Sequence, residues 1–273
     1  MFSYEGKRVA VTGAGRGIGK AIALQMAAQG AEVALASRTT SELEAVAQQI
    51  RDSGGSASVH RVDLTDSTAA VAMVDEAAEA LGGLDILVNN AGGGDMRFFG
   101  PLEDAVPEGF DSIYALNVRS PFFASQRAVR IMKEAGTKGC ILSIVSIDGI
   151  TPAPGEAIYG SAKAAAISLT QCLAIEAGQY GIRVNAIAPA LVDTPLVADW
   201  INSDELRQDR ASYYPINRLG RAEDVAAAAI YLCSDEAGWV SGVTLPVAGG
   251  QQATSDLFRW VRGHNPVPEG FGL

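Results

Sequence analysis

Histidine and cysteine are scarce in this sequence, with two histidines and three cysteines among 273 residues. His60 and His264 lie far apart, and no C-x-x-C pair surrounds Cys140, Cys172 or Cys233. Zinc frameworks and disulfide scaffolds need closer sets of ligands. No metal site is therefore expected, and the thiols are read as buried, reduced packing groups. The absence of any G-x-S-x-G elbow argues against a Ser-His-Asp hydrolase. Long apolar runs are missing as well: VAAAAIYLC, at 225–233, is the longest, well short of the roughly 18–20 residues that span a bilayer. The opening MFSYEGKRVAVTG carries Glu5, Lys7 and Arg8 where a signal peptide would have an apolar core. A soluble, cytoplasmic protein is the expectation. Positive charge is in deficit, 21 basic against 31 acidic residues for a net −10. With no basic cluster, this opposes nucleic acid and anionic membranes as partners.

What is present is a regular alternation. The β-branched runs RVAVTG, AEVALAS, ASVHRVD, LDILVNNAG, GCILSIVS, IRVNAIAP and GVTLPVAGG are separated by helical patterns at 17–30, 40–53, 67–82, 107–135, 157–178 and 221–234. Seven strand signals alternating with helices predict βαβ units, and hence an α/β, Rossmann-type doubly wound parallel sheet with helices on both faces. No repeat or linker divides the chain, so a single domain over 1–255 is expected. Between the sixth strand and the last helix, residues 190–218 carry PALVDTPL, NSDELRQDR and YYP, a connection of the length that forms lids over ligands. The Gly/Pro-rich tail, 256–273, reads as irregular and docked.

The first strand runs into VTGAGRGIG, residues 11–19. Glycines let a backbone turn tightly against a pyrophosphate, and the following helix presents free N–H groups and a positive dipole end to it. The strict G-x-G-x-x-G fingerprint fails at Ile18; the spacing that holds is Gly13-x-x-x-Gly17-x-Gly19. At the end of the second strand, an NAD site would be expected to place Asp or Glu for the ribose hydroxyls. Ser37 and Arg38 stand there instead, with Thr39 and Arg16 nearby. These suit a 2′-phosphate, so NADP(H) is favoured, with NAD(H) as the alternative. Asp63 ends the third strand, where its carboxylate can accept from an adenine amino group, and NNAGGG, 89–94, ends the fourth.

The helix at 157–178 opens AIYGSAKAAAISL, which places Tyr159 and Lys163 one turn apart on one face. A phenol is a poor base at neutral pH unless a nearby ammonium stabilises the phenolate. Ser146 ends the fifth strand and Asn117 sits in IYALNVRS. In T-G-x-x-x-G-x-G (Thr12 to Gly19), N-N-A-G (Asn89 to Gly92) and Y-x-x-x-K (Tyr159 to Lys163), the sequence resembles the classical short-chain dehydrogenase/reductase family over about residues 5–250.

The resemblance implies hydride transfer between nicotinamide and a secondary alcohol or ketone, and a role for each matching position. Tyr159 would be the general acid/base. Lys163 would hold the nicotinamide ribose and depress the tyrosine pKa, Ser146 would polarise the carbonyl, and Asn117 would order a relay water. Gly13, Arg16, Gly17, Ile18 and Gly19 would contact the pyrophosphate and ribose. Asp63 and Leu64 would take the adenine, Asn90 and Gly92 the adjoining ribose, and Pro189 and Thr194 would flank the nicotinamide amide, beside Ala188. Two positions depart from the family pattern: Ala190 replaces the usual Gly after Pro189, and Ala248 stands where Asp is common.

Gly94, Met96, Phe98, Ile147, Ala190, Leu191, Leu196 and Trp200 are the candidate substrate-pocket residues and would form an apolar pocket. A bulky apolar or alicyclic, steroid-like alcohol or ketone is the leading reading. The alternatives are a β-ketoacyl thioester reductase and, from another class, a non-catalytic dinucleotide-binding regulator. The resemblance further implies a homotetramer, or a homodimer, paired through the helices near 107–135 and 157–178.

Overall fold

The computed structural model describes residues 2–254, so the expectation of a docked tail falls outside the described residues. Seven strands form one sheet in the order β3-β2-β1-β4-β5-β6-β7: β1 (Arg8–Thr12), β2 (Glu32–Ser37), β3 (Ser56–Arg61), β4 (Ile86–Asn89), β5 (Cys140–Ile144), β6 (Arg183–Pro189) and β7 (Thr244–Val247). Every neighbouring pair is parallel. Chain order reverses between β1 and β4, which opens a crevice at their carboxyl ends, the usual ligand position in such sheets.

The strands read as continuous apolar runs because both faces are covered. Val9, Val11, Val33, Leu35, Ile86 and Val88 point to one face, against α1 (Gly17–Ala27), α2 (Thr40–Asp52) and α8 (Ala222–Cys233). Their neighbours Ala10, Ala34, Ala36 and Leu87 point to the other, against α3 (Ser67–Leu81), α5 (Ser120–Ala135) and the end of α6 (Ala157–Gly178). Fully burying each of these Val, Leu or Ile side chains contributes about 1.5–3 kcal/mol, so the strand ends are held by a rigid core.

The predicted helix at 107–135 is α4 (Pro107–Tyr114) and α5 joined by a π-helical turn, Ala115–Arg119. The lid region holds a 3₁₀ turn, Ala198–Ile201, and a short helix, α7 (Asp204–Ser212). Ser203 caps α7, its Oγ accepting from Leu206 N at 3.2 Å. Cys140 and Cys233 are buried and free as expected, whereas Cys172 is exposed on α6. α6 packs on the sheet along one face, and its opposite face, with Ile175 at 80% exposure, is turned outward. Among the described residues, no helix is long and apolar enough to cross a membrane.

Candidate active site

One cleft of about 1100 Å³ runs along the carboxyl ends of the strands. Its floor is set by Thr12, buried at the end of β1. Thr12 Oγ1 donates to Val88 O at 3.2 Å and accepts from Asn90 N and Ala91 N, both at 2.9 Å. Asn90 Nδ2 returns the tie, donating to Thr12 O at 2.9 Å and Gly13 O at 3.2 Å. The glycine loop is thereby clamped to the end of β4. Gly13, Arg16, Gly17 and Ile18 line the cleft, and so do Asn90 and Gly92. Gly19 does not. A Cβ there would overlap the Gly13 carbonyl oxygen and the Asn90 amide nitrogen, so Gly19 acts by letting helix and loop meet.

Ser37, Arg38, Asp63 and Leu64 line one end of the cleft. Asp63 accepts from Thr65 N at 3.0 Å and Thr65 Oγ1 at 2.9 Å; the backbone bond above all holds its carboxyl below the ordinary range. Sequence reasoning missed Glu42, in the first turn of α2, which lines the same end 3.8 Å from Arg16. It lies beyond the strand-end positions where an acidic residue is normally sought.

The other end gathers Ser146, Tyr159 and Lys163. Lys163 is 4% exposed; its Nζ donates to Ile144 O at 3.2 Å and lies 5.5 Å from the Tyr159 ring centroid. Burial lowers Lys163 to about 8, an effect that Asp148 partly offsets. Tyr159 departs from expectation. Burial pushes its hydroxyl well above the ordinary phenol range, Ser146 offsets part of this, and Asp148 and Glu156 add to it. The lysine head is turned to a backbone carbonyl and two carboxylates stand nearby, so the phenol stays neutral here.

Asn117 lies in the π-helical turn behind this group and does not line the main cleft. Its Nδ2 donates to Gly93 O at 2.7 Å and Ile113 O at 2.8 Å, and its Oδ1 accepts from Gly93 N at 3.1 Å. A Cβ on Gly92 would sit 2.9 Å from Asn117 Oδ1 and 3.0 Å from Lys163 Nζ; the missing side chain lets these two approach. Asn117 and Lys163 share a cavity of about 20 Å³ with Asn89, Ser125 and Ser143, polar and large enough for one water.

Of the expected substrate-pocket residues, Gly94, Met96, Ile147, Ala190, Leu191, Leu196 and Trp200 line the cleft, as do Pro189 and Thr194. Phe98 does not: it packs beneath Gly109 on α4, beside Ile113 and Ile158. In a 3₁₀ turn, Met96–Phe98, adjacent side chains diverge, which sends Phe98 to the core and leaves Phe99 on the cleft. Phe99 stands between Tyr159 and Trp200, with ring centroids at 5.8 and 6.3 Å.

Two acidic residues in this pocket also escaped the sequence reading. Asp148 accepts the Ser146 hydroxyl at 2.8 Å, and burial raises its carboxyl despite that bond. Glu156 is raised to about 7, by burial first and then by Asp148. Their offsets, two residues after Ser146 and three before Tyr159 on the entry to α6, were the available signal.

The cleft fits a nicotinamide dinucleotide. Its loop admits a close backbone approach at a helix N-terminus, and it extends unbroken from Arg38 to Tyr159. Comparison with known proteins bears on the same residues. A family model described as enoyl-(acyl carrier protein) reductase matches residues 13–252. The chain is similar to glucose 1-dehydrogenase of Gluconobacter oxydans (strain 621H), 36% identical over 255 residues that cover 93% of this chain and 95% of that one. Among solved structures it resembles 7α-hydroxysteroid dehydrogenase complexed with NADH and 7-oxo glycochenodeoxycholic acid, at TM-score 0.86 and 40% identity, covering 91% and 95% of the two chains. It also resembles a short chain dehydrogenase from Burkholderia cenocepacia J2315 in complex with NADP, at TM-score 0.83 and 38% identity, covering 91% and 98%.

Proposed function

Because the chain belongs to the classical short-chain dehydrogenase/reductase family, we propose that it interconverts a secondary alcohol and a ketone with NADP(H) as the favoured cofactor. The observation that carries this reading is the meeting of Ser146, Tyr159 and Lys163 at one end of a cleft whose other end is a glycine loop and helix N-terminus. When bound, the cofactor supplies or accepts the hydride. The protein's residues position the substrate and handle its proton. Tyr159, held neutral, donates its proton to the carbonyl oxygen in reduction and recovers it in oxidation. Ser146 hydrogen-bonds the same oxygen, and Lys163 would hold the dinucleotide ribose. Gly13, Gly17 and Ile18 offer backbone to the pyrophosphate.

Ser37 and Arg38 support NADP; Glu42, facing Arg16, and Asp63 are carboxylates at the same end of the cleft, and Glu42 opposes a 2′-phosphate. The aromatic and aliphatic wall of Phe99, Trp200, Leu196, Ile147 and Met96 supports a bulky apolar or alicyclic substrate. A homotetramer or homodimer is proposed from exposed apolar surface: Phe110 stacked on Tyr114 at 4.3 Å, Ile175, and Trp239 at 100% exposure. Sedimentation at micromolar concentration reads it, and a monomer alone would refute it.

The deciding experiment is Tyr159→Phe, with ketones and secondary alcohols presented alongside each cofactor. Turnover should fall by about 10²–10⁴-fold while calorimetry still shows dinucleotide binding. Unchanged turnover would sink the proposal, and a clear preference for NADH would overturn the role given to Arg38.

A further inference from the structure

A serine hydroxyl has one proton to give. In this structure Ser146 gives it to Asp148 Oδ2, 2.8 Å away, and the same oxygen accepts the Asp148 backbone N–H at 3.2 Å. One residue therefore holds the hydroxyl from both sides. An ionised carboxylate only accepts, which fixes the direction of the bond; a ketone oxygen also only accepts. With Asp148 ionised, Ser146 can present nothing but a lone pair to the substrate. A protonated Asp148 reverses the bond, donating its own O–H to Ser146 and freeing the serine proton for the cleft.

We propose that Asp148 is a positioning residue that controls the donor direction of Ser146: neutral, it releases the serine proton to the substrate oxygen, and ionised, it withdraws it. The inference rests on the proposed role of Ser146 at the substrate oxygen. Among the described residues, the groups facing Asp148 come from three directions. Ser146 approaches from the end of β5; Glu156, Tyr159 and Lys163 from α6; and Tyr214, itself near Arg210, from the segment after α7. The Ser146 hydroxyl, the Asp148 backbone N–H and the Lys163 cation favour the anion, whereas burial opposes it more strongly. Reduction and oxidation share one transition state, in which the substrate oxygen carries developing negative charge. Control of Ser146 therefore acts on both directions alike.

The test is the pH profile of turnover in the full enzyme with cofactor. The wild type should show a limb on which turnover falls as pH rises above the ordinary carboxylate range, by about 10²-fold, as for loss of one such donor, and the change in kcat rather than KM. Asp148→Asn, which cannot ionise and keeps an N–H donor, should lose that limb and retain the one from Lys163. Asp148→Ala, which removes the competing acceptor, should lose it too. In a Ser146→Ala background neither change should alter the profile. A limb that survives in both Asp148 variants, or an equal effect without Ser146, would overturn the proposal. Infrared difference spectroscopy gives a readout independent of turnover: the carboxyl band absent from Asp148→Asn should titrate at higher pH in Ser146→Ala, because a donor to the anion is gone. An unmoved titration would also overturn it. If no ketone or alcohol is turned over with either cofactor, the functional reading fails, and the spectroscopic result still decides the Ser146–Asp148 coupling.

Discussion

Gly19→Ala is expected to damage both the fold and the cleft, against the usual rule for helices. Alanine in place of glycine inside a helix normally stabilises by about 0.5–1 kcal/mol. Here the added methyl would overlap the Gly13 carbonyl oxygen and the Asn90 amide, and stand 2.8 Å from the Gly13 carbonyl carbon. Neither neighbour can swing aside, since Asn90 Nδ2 is already bonded to Thr12 O at 2.9 Å and to Gly13 O at 3.2 Å. Overpacking of this kind costs about 1–3 kcal/mol, and losing one Asn90 bond adds about 1 kcal/mol. The steric terms win, for a net loss of about 1–3.5 kcal/mol. In urea, where small proteins lose about 1–3 kcal/mol per molar, the midpoint should drop by roughly 0.5–2 M.

Gly13 and Asn90 line the cleft, so the same displacement should weaken dinucleotide binding about tenfold, equivalent to about 1.4 kcal/mol. Gly178→Ala is the control. Gly178 ends α6, and an added Cβ there meets nothing within 4 Å, so stability should hold or rise by up to about 1 kcal/mol. Equilibrium unfolding in urea and calorimetric titration with NADPH read both effects. If Gly19→Ala unfolds at the wild-type urea concentration and binds NADPH as tightly, the packing role assigned to Gly19 is wrong.

Two further outcomes concern the titration of buried groups. Lys163 titrates near 8 in the folded protein against 10.5 as a free side chain, so between these values the unfolded chain binds more protons. The stability of the wild type relative to Lys163→Met should therefore rise with pH across that window, by an amount on the order of 3 kcal/mol; urea unfolding at intervals from pH 7.5 to 10.5 checks it, and a flat difference would refute the buried-ammonium reading. Glu156 is shifted the other way, to about 7 from 4.5, so its contribution is fully present below pH 4.5 and is lost as pH rises through 7. Relative to Glu156→Gln, the wild type should weaken over that interval, and an opposite slope would show that a cation meets this carboxylate.

Much of the machinery could be read from local pattern. The strand runs around Val9, Val33, Leu87 and Ile141 are apolar at every position because both faces are covered, and that continuity marks a parallel sheet. The spacing of Gly13, Gly17 and Gly19, and of Tyr159 and Lys163, is set by the geometry of a loop or a helical turn, so it is visible without knowing what lies opposite. Sequence alone also placed Ser146 at a strand end, where the cleft opens.

What only the tertiary structure decided is direction and company. Phe98 and Phe99 are neighbours in sequence, but a 3₁₀ turn sends one beneath Gly109 and the other to Tyr159. Glu42 was unremarkable in the pattern of α2 until the fold brought it to within 3.8 Å of Arg16. The tyrosine was expected to be made acidic by the lysine one turn away; instead burial raises it, and Asp148 and Glu156 reinforce the effect. Helical spacing fixes which side chains share a face. The charge state of each depends on solvent exclusion and on groups arriving from other elements, and those quantities exist only once β5, α6 and the lid have closed around the same space.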